Sequence, residues 1–138
     1  MAREDKTVLV VDDEESLRNF AAKLIQSRGY RVVTAGDGAE ALAVLTEGTQ
    51  VDLLVLDVMM PGLDGLQTLE QVRTRGHTSL PVVLLTAQTE DEQILGGYEK
   101  GADCYVTKPL RPSALLNIVD YLIGDLPPAE RAKLEPLL

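Results

Sequence analysis

Polar side chains follow four of the five short apolar runs in this sequence, each close to the point where the run ends. Asp12 and Asp13 follow the first run, Asp57 the third, Thr86 the fourth and Lys108 the fifth. Taken alone, each has a simpler explanation, since Asp is a favoured helix cap and is common before turns. Ligands of open α/β sheets bind beyond the carboxyl ends of the strands, so we expect these side chains to converge on one crevice.

The composition of this set restricts its chemistry. Gathered carboxylates raise one another's pKa values unless a cation offsets their charge. Lys108 supplies one positive charge, and an all-oxygen ligand set without histidine favours Mg²⁺ over zinc for the rest. A metal ion, an ammonium and a hydroxyl around a central carboxylate are what phosphoryl transfer requires, because they neutralise the oxygens of the transferred group. Asp57 would then be the nucleophile and would form an aspartyl phosphate.

The apolar runs alternate with segments of helical spacing. The runs are short, aliphatic and mostly continuous, which is typical of strands buried on both faces of a parallel sheet. They cover residues 8–11, 32–33, 53–56, 82–85 and 104–106. Between and after these runs lie five apolar stripes, each followed by a glycine, which predict five helices. The five stripes consist of Leu17, Phe20, Ala21, Leu24 and Ile25; Ala39, Leu42, Ala43 and Leu45; Leu66, Leu69 and Val72; Ile94, Leu95 and Tyr98; and Leu115, Leu116, Ile118, Val119 and Leu122.

This alternation predicts an α/β doubly wound domain, with a five-stranded parallel sheet and right-handed crossovers. In the flavodoxin-like strand order 2-1-3-4-5, the second strand lies at an edge, away from the crevice. The end of that strand carries only small turn residues, as this order requires. The pattern is complete near Gly124, so we expect one domain over residues 1–124 and a tail, linker or short helix over residues 125–138.

Charge and cysteine content exclude several classes of partner. The chain has 138 residues, with 13 basic and 22 acidic side chains and a net charge of −9. This balance argues against direct binding to nucleic acid or to anionic membranes. A single cysteine, Cys104, excludes an internal disulfide framework and fits a reducing cytoplasm. We expect neither a signal peptide nor a membrane span.

Four motifs resemble the receiver domain of two-component response regulators, over roughly residues 6–124. Residues 10–14 resemble its acidic pocket, 56–65 its phosphoacceptor loop, 86–87 its switch threonine and 101–109 its fifth strand and lysine. The resemblance implies that Asp57 is the phosphoacceptor and that Lys108 contacts the phosphoryl group. It further implies that Asp12, Asp13 and Asp57 bind Mg²⁺ together with the backbone carbonyl of Met59.

The same resemblance assigns switch roles to Thr86 and Tyr105 and implies a cis bond between Lys108 and Pro109. Cys104 departs from the family pattern, which often has an acidic residue there. We expect Cys104 to lie on the flank of the site in a structural role. Gln88 is expected to border the pocket. The one histidine, His77, is expected to be exposed in a loop.

The reaction implied by the resemblance is phosphoryl transfer to Asp57 from a sensor histidine kinase, a phosphotransfer protein or a small acyl phosphate. The chain would catalyse only its own phosphorylation and dephosphorylation. Its output would pass to a downstream effector through the fourth helix, fifth strand and fifth helix, a face through which phosphorylated copies could also dimerise. Gly96 and Gly97 predict that this fourth helix is marginal and is remodelled on activation, unless one of them serves close packing.

Other functions fit the residues less well. A pseudo-receiver, which binds partners without phosphorylation, would not need the intact acidic, Thr and Lys set. A haloacid-dehalogenase-type enzyme needs a second Asp two residues after the nucleophile, where this chain has Met59. A P-loop nucleotidase needs a Gly-rich loop that ends in Lys-Ser or Lys-Thr, and the chain has none. An acidic site would repel the FMN phosphate of a flavodoxin-type electron carrier.

Overall fold

A computed structural model describes residues 3–87 and 101–138 of the chain. Within these ranges, five parallel strands form one sheet in the order β2-β1-β3-β4-β5. The strands are β1 (Thr7–Val11), β2 (Arg31–Ala35), β3 (Leu53–Asp57), β4 (Val82–Thr86) and β5 (Cys104–Thr107). The predicted doubly wound α/β fold and its flavodoxin-like strand order are therefore confirmed.

The described helices are α1 (Glu15–Ser27), α2 (Gly38–Thr46), α3 (Gly65–Thr74), α4 (Pro112–Ile123) and α5 (Pro128–Leu134), with 3-10 turns at Arg3–Asp5 and Glu135–Leu137. The helix predicted around Ile94, Leu95 and Tyr98 lies outside the described residues, as do Gln88 and the pair Gly96 and Gly97. The label α4 therefore denotes the fifth helix of the sequence prediction. In the part of the chain that the structure describes, no helix is both long enough and apolar enough to cross a membrane.

Two apolar layers, one on each face of the sheet, form the core. Alternate residues of β1 and β3, such as Val8 and Val55, pack with the inner faces of α1 and α4. The residues between them, such as Leu9 and Leu54, pack with α2 and α3. Because successive side chains of a strand point to opposite faces, a sheet covered on both sides needs continuous apolar strands. All five residues of β3 and all five of β4 are buried.

Two of the predicted helical stripes are wrong in detail. Phe20 was expected on the core face of α1, but its side chain is 44% exposed and Ala22 is buried instead. In α2, Ala39 and Ala43 are exposed, and Ala41 lies in the core. In both helices the predicted apolar residues span a wider arc than the stripe that contacts the sheet, so residues at the edge of the arc face solvent.

Two residues at the amino end of the sheet differ from their predicted environments. His77, expected to be exposed, is half-buried, and its carbonyl accepts a hydrogen bond from Arg73 Nη1 at 2.7 Å. Cys104 begins β5, whereas the candidate site follows the other end of that strand, so its expected position beside the site is wrong. Cys104 is half-buried and packs against the core layer next to α4.

Candidate functional site

The carboxyl ends of four strands bring the predicted site residues together. Asp57 is the last residue of β3 and Thr86 the last of β4, while Asp12 and Lys108 directly follow β1 and β5. Asp12, Asp57 and Thr86 are only 1%, 2% and 3% exposed. Polar groups buried this deeply need hydrogen bonds or opposite charges nearby. The order of the strands determines which side chains can supply them.

Three carboxyl groups form an acidic cluster at this edge. The side-chain oxygens of Asp12, Asp13 and Asp57 lie within 4.8 Å of one another, with Asp12 and Asp57 buried and Asp13 exposed. Oδ1 of Asp12 accepts a hydrogen bond from the backbone N–H of Glu14 at 2.9 Å. Oδ2 of Asp12 is buried and accepts no hydrogen bond from the described residues. A buried carboxylate oxygen that accepts no such hydrogen bond, within an all-oxygen cluster, fits a hard divalent cation.

Helix capping does not explain the two adjacent aspartates. The residue that precedes α1 is Glu14, and its side chain makes no capping hydrogen bond. The Asp12 carboxylate instead binds the backbone two residues ahead, which is an Asx-type turn. By contrast, Asp64 caps α3 and shares a complete capping box with Gln67. Asp64 therefore acts as a helix cap, whereas Asp12 and Asp13 belong to the acidic cluster.

Lys108 is the cation of the site. Its Nζ lies 3.1 Å from Oδ1 of Asp57 and 3.5 Å from Oδ2 of Asp12. Burial lowers the pKa of Lys108, but the hydrogen bond and charge of Asp57, together with Asp12, outweigh burial and raise it above its ordinary value. The ammonium is therefore charged at neutral pH. The peptide bond between Lys108 and Pro109 is cis, as the family resemblance implied.

Asp57 ionises less readily than an exposed aspartate. Burial and then the negative charge of Asp12 raise the pKa of Asp57 to about 6, although Lys108 and the backbone N–H of Met59 oppose this rise. That N–H donates to Oδ1 of Asp57 over 3.3 Å. At neutral pH the group is still mostly ionised. It is therefore a carboxylate in an unfavourable electrostatic environment, which a further cation would relieve.

The loop after β3 is held tightly against the strand. The N–H of Val58 donates to the carbonyl of Leu85, and the N–H of Gly65 donates to the carbonyl of Val58, at 2.9 and 2.8 Å. A Cβ on Gly65 would lie 2.6 Å from Cα of Val58 and closer still to the carbonyl oxygen of Asp57, so this position admits only glycine. The Met59 side chain in this loop is 55% exposed.

Arg18 is a residue of the site that the sequence pattern did not predict. Its Nη1 donates to the backbone carbonyl of Asp12 at 3.0 Å and so braces the loop that carries the acidic cluster. The available signal was a cation one helical turn after Glu14, close to the acidic motif. Tyr105, the predicted switch aromatic, lies within β5, three residues before Lys108, and its side chain is 37% exposed.

Comparisons with known proteins agree with this geometry. The family model described as the response regulator receiver domain matches residues 8–120. The chain is 44% identical over 108 residues to the alkaline phosphatase synthesis transcriptional regulatory protein PhoP of Bacillus subtilis, covering 78% of this chain and 44% of that protein. It is 39% identical over 125 residues to Protein PetR of Rhodobacter capsulatus, covering 91% of this chain and 52% of that one. The chain thus spans about half the length of these curated relatives.

Solved structures give the same result. The chemotaxis protein CheY4 of Vibrio cholerae superimposes with a TM-score of 0.80 at 34% identity, over 86% of this chain and 98% of that one. The receiver domain of the Francisella response regulator 1452 superimposes with a TM-score of 0.79 at 33% identity, over 85% of this chain and 95% of that one. The chain belongs to the response regulator receiver domain family of two-component signalling.

Proposed function

We propose that this domain accepts a phosphoryl group on Asp57 from the phosphohistidine of a sensor histidine kinase or of a phosphotransfer protein. The observation that carries the proposal is the position of Lys108, whose Nζ lies 3.1 Å from Oδ1 of Asp57 and 3.5 Å from Oδ2 of Asp12. A buried carboxylate that faces a cation and a second carboxylate is a nucleophile with charge compensation already in place.

In the proposed reaction, a carboxylate oxygen of Asp57 attacks the phosphorus of the donor. The P–O bond forms as the P–N bond breaks, and the imidazole leaves with the bonding electron pair. Lys108 neutralises charge on the transferred oxygens, and the Thr86 hydroxyl donates to one of them. Because the pKa of Asp57 is raised only to about 6, the nucleophile is ionised at neutral pH. Hydrolysis of the acyl phosphate then restores the carboxylate.

Asp12, Asp13 and Asp57, with the Met59 carbonyl, are the residues that would hold Mg²⁺. A bound divalent cation offsets the charge of the carboxylates and of the phosphoryl oxygens. Two observations support this assignment: Oδ2 of Asp12 accepts no hydrogen bond from the described residues, and all the donors are oxygens. Receiver domains typically use a metal at an acidic site of this kind, and we propose Mg²⁺ as the ion because hard oxygen ligands suit it.

We assign the receiver function to residues 1–124 and treat residues 125–138 as a tail that follows the receiver domain. Response regulators act between histidine kinases and output domains, and we propose that the output face includes Tyr105 on β5. A partner effector, or a second phosphorylated copy, would bind there. The relative PhoP is described as a transcriptional regulatory protein. A linked or separate effector could give this domain a similar output in the cytoplasm without direct contact between the domain and DNA.

Incubation with acetyl phosphate and Mg²⁺, followed by intact mass measurement, tests the proposal. We expect the mass to increase by one phosphoryl group, and we expect Asp57→Asn to abolish the increase. Asp5→Asn, which removes the same charge from an exposed turn, is the matched control and should behave as the wild type. An unchanged wild-type mass, or an increase that survives in Asp57→Asn, would reject phosphorylation and favour a pseudo-receiver.

A further inference from the structure

The segment after α4 turns back and packs against that helix. Arg131 Nε donates to the carbonyl of Tyr121 at 3.2 Å, and the guanidinium carbon lies 4.3 Å from the centre of the Tyr121 ring. The hydroxyl of Tyr121 donates to Oε1 of Glu135 at 2.9 Å. A single α4 residue, Tyr121, therefore contacts both Arg131 and Glu135 of this segment, through a hydrogen bond to its backbone, a cation–π contact and a hydrogen bond from its hydroxyl.

Beyond Glu135 the segment reaches the side of β5. Leu137 and Leu138 form one wall of a cavity of about 440 Å³. The opposite walls come from β5 and α4; they include Cys104, Tyr105, Thr107, Ala114 and Ile118. Cys104 and Ile118 also belong to the core layer under α4, so the cavity opens directly onto the packed surface between strand and helix. The two leucines thus cover part of the face to which Tyr105 belongs.

The segment after α4 is only weakly packed against the rest of the domain. Neither α5 nor the turn Glu135–Leu137 contains a buried residue. Leu137 is 64% exposed and Leu138 45% exposed. Partly exposed polar and apolar contacts of this kind contribute little free energy each, so the segment is expected to open readily. Its tether to α4 is short, however, and tethering keeps the local concentration of the segment at the groove high.

We propose that residues 128–138 are an intramolecular latch, docked over β5 and α4, that must leave before a partner can occupy the groove beside Tyr105. The proposal rests on the proposed function only in treating this face as the one that acts on a partner. A latch of weak contacts on a short tether is closed most of the time and is still displaced by a partner with more apolar surface. Access to the groove is then controlled by the chain itself.

The single cysteine is a natural reporter, because Cys104 lines the groove that the latch covers. The rate at which Ellman's reagent modifies Cys104 is measured in the full 138-residue chain, without Mg²⁺ or phosphoryl donor. Two variants open the latch in different ways: Leu137→Ala with Leu138→Ala removes the apolar wall, and Glu135→Gln weakens the bond to Tyr121. We expect each to increase the labelling rate by about three- to tenfold, as the loss of a hydrogen bond or of partly buried leucines shifts the opening equilibrium.

Glu130→Gln is the matched control, since Glu130 lies exposed on α5, in the same segment as Glu135, and the charge change equals that of Glu135→Gln. Faster labelling in the two latch variants, with an unchanged urea midpoint and a control that labels as the wild type, supports the latch. Unchanged labelling in both latch variants overturns it. Labelling that rises equally in Glu130→Gln, or only in step with a lower urea midpoint, also overturns it. Because no phosphorylation is involved, failure of the proposed function would leave this result intact.

Discussion

The ammonium of Lys108 reaches Oδ1 of Asp57, 3.1 Å away, across the end of the strand that separates them. Lys108 follows β5 and Asp57 ends β3, while β4 lies between these strands in the sheet. The Lys108 side chain is 20% exposed and that of Asp57 only 3% exposed. Because the same ammonium lies 3.5 Å from Oδ2 of Asp12, loss of Lys108 would leave two buried carboxylates without their cation, whereas loss of Asp57 would leave Lys108 paired with Asp12.

Replacement of Lys108 is expected to slow phosphorylation of Asp57. Lys108→Ala removes the cation that would face the transferred oxygens, and the loss of one such group typically costs about 100-fold in rate. The initial rate of phosphoryl incorporation from acetyl phosphate, followed by intact mass, measures the effect. Lys23→Ala, at an exposed position of α1, is the control and should leave the rate unchanged. A wild-type rate in Lys108→Ala would show that the cation does not act on the phosphoryl group.

The site residues that the sequence predicts are those whose positions follow from the order of the strands in the sheet. Asp12, Asp57, Thr86 and Lys108 could be identified because each follows a continuous apolar run, and the parallel order brings the ends of these runs to one edge. The two core layers could be predicted from the same apolar runs, because strands covered on both faces must be apolar throughout. Neither inference needed the position of any individual side chain.

The rest depends on contacts that leave no periodic signal. Arg18 binds a backbone carbonyl, and the Asx turn of Asp12 uses a backbone N–H, so neither interaction requires a particular partner side chain. Asp120 is buried with Tyr30 at 2.6 Å and pairs with Arg28, but these residues lie on separate elements with nothing in the sequence to join them. The tail docks through Tyr121 in the same way, by a few polar contacts that a hydrophobic pattern does not record.

Asp57→Asn is expected to stabilise the metal-free protein near pH 7.5 by about 1–3 kcal/mol. The pKa of Asp57 is raised to about 6 in the folded state, against about 3.9 for an ordinary aspartate. Between these values the folded chain holds the proton more tightly than the unfolded chain, so the wild type loses stability as the pH rises through this window. The asparagine side chain of the variant carries no charge and escapes that loss.

Urea unfolding with a chelator, at pH 4 and at pH 7.5, measures this difference. The two proteins should differ at pH 7.5 and converge near pH 4, where Asp57 is largely protonated in the folded state. Asp5→Asn, which removes the same charge at an exposed position, should match the wild type at both values. A variant that is less stable than the wild type at pH 7.5 would contradict the raised pKa of Asp57.

Mg²⁺ is expected to raise the thermal midpoint of the wild type, because binding to the folded state alone stabilises it. Asp12→Asn should remove most of this gain, since it replaces the buried carboxylate whose Oδ2 lacks a hydrogen bond from the described residues. Thermal melts over a series of Mg²⁺ concentrations, reversed by chelator, provide the measurement. Glu47→Gln, exposed after α2, controls for the loss of one negative charge. An equal Mg²⁺ response in Asp12→Asn and wild type would remove Asp12 from the ligand set.

Arg73→Ala is expected to destabilise the fold by about 2–4 kcal/mol. Hydrogen bonds to charged groups contribute about 1.5–3 kcal/mol each, and water that binds the freed carbonyls compensates for part of the loss. Its guanidinium donates to the carbonyls of His77, Leu80 and Gly101 at 2.7, 2.7 and 2.5 Å, which ties together the loops before β4 and β5. The urea midpoint measures the loss. Arg75→Ala, at an exposed neighbouring position, should change the midpoint little. Similar midpoints for the two variants would show that these hydrogen bonds do not brace the loops.

Gly65→Ala is expected to disturb both stability and phosphorylation, because its Cβ would meet backbone that has little room to move. The added carbon would lie 2.6 Å from Cα of Val58 and closer still to the carbonyl oxygen of Asp57. Relief of that clash must displace the end of β3 or the start of α3, and a shift of the nucleophile by about 1 Å can cost about 100-fold in rate.

Gly62→Ala is the contrasting variant. Gly62 has a φ of +74°, yet among the described residues no atom beyond its two chain neighbours lies within 4 Å of its Cβ position. Gly62→Ala should therefore lose about 1 kcal/mol of stability from backbone strain and keep most of its phosphorylation rate. Urea midpoints and initial phosphorylation rates of the two variants separate a steric from a conformational role for glycine in this loop. Equal phosphorylation rates in both would show that the close approach at Gly65 does not position Asp57.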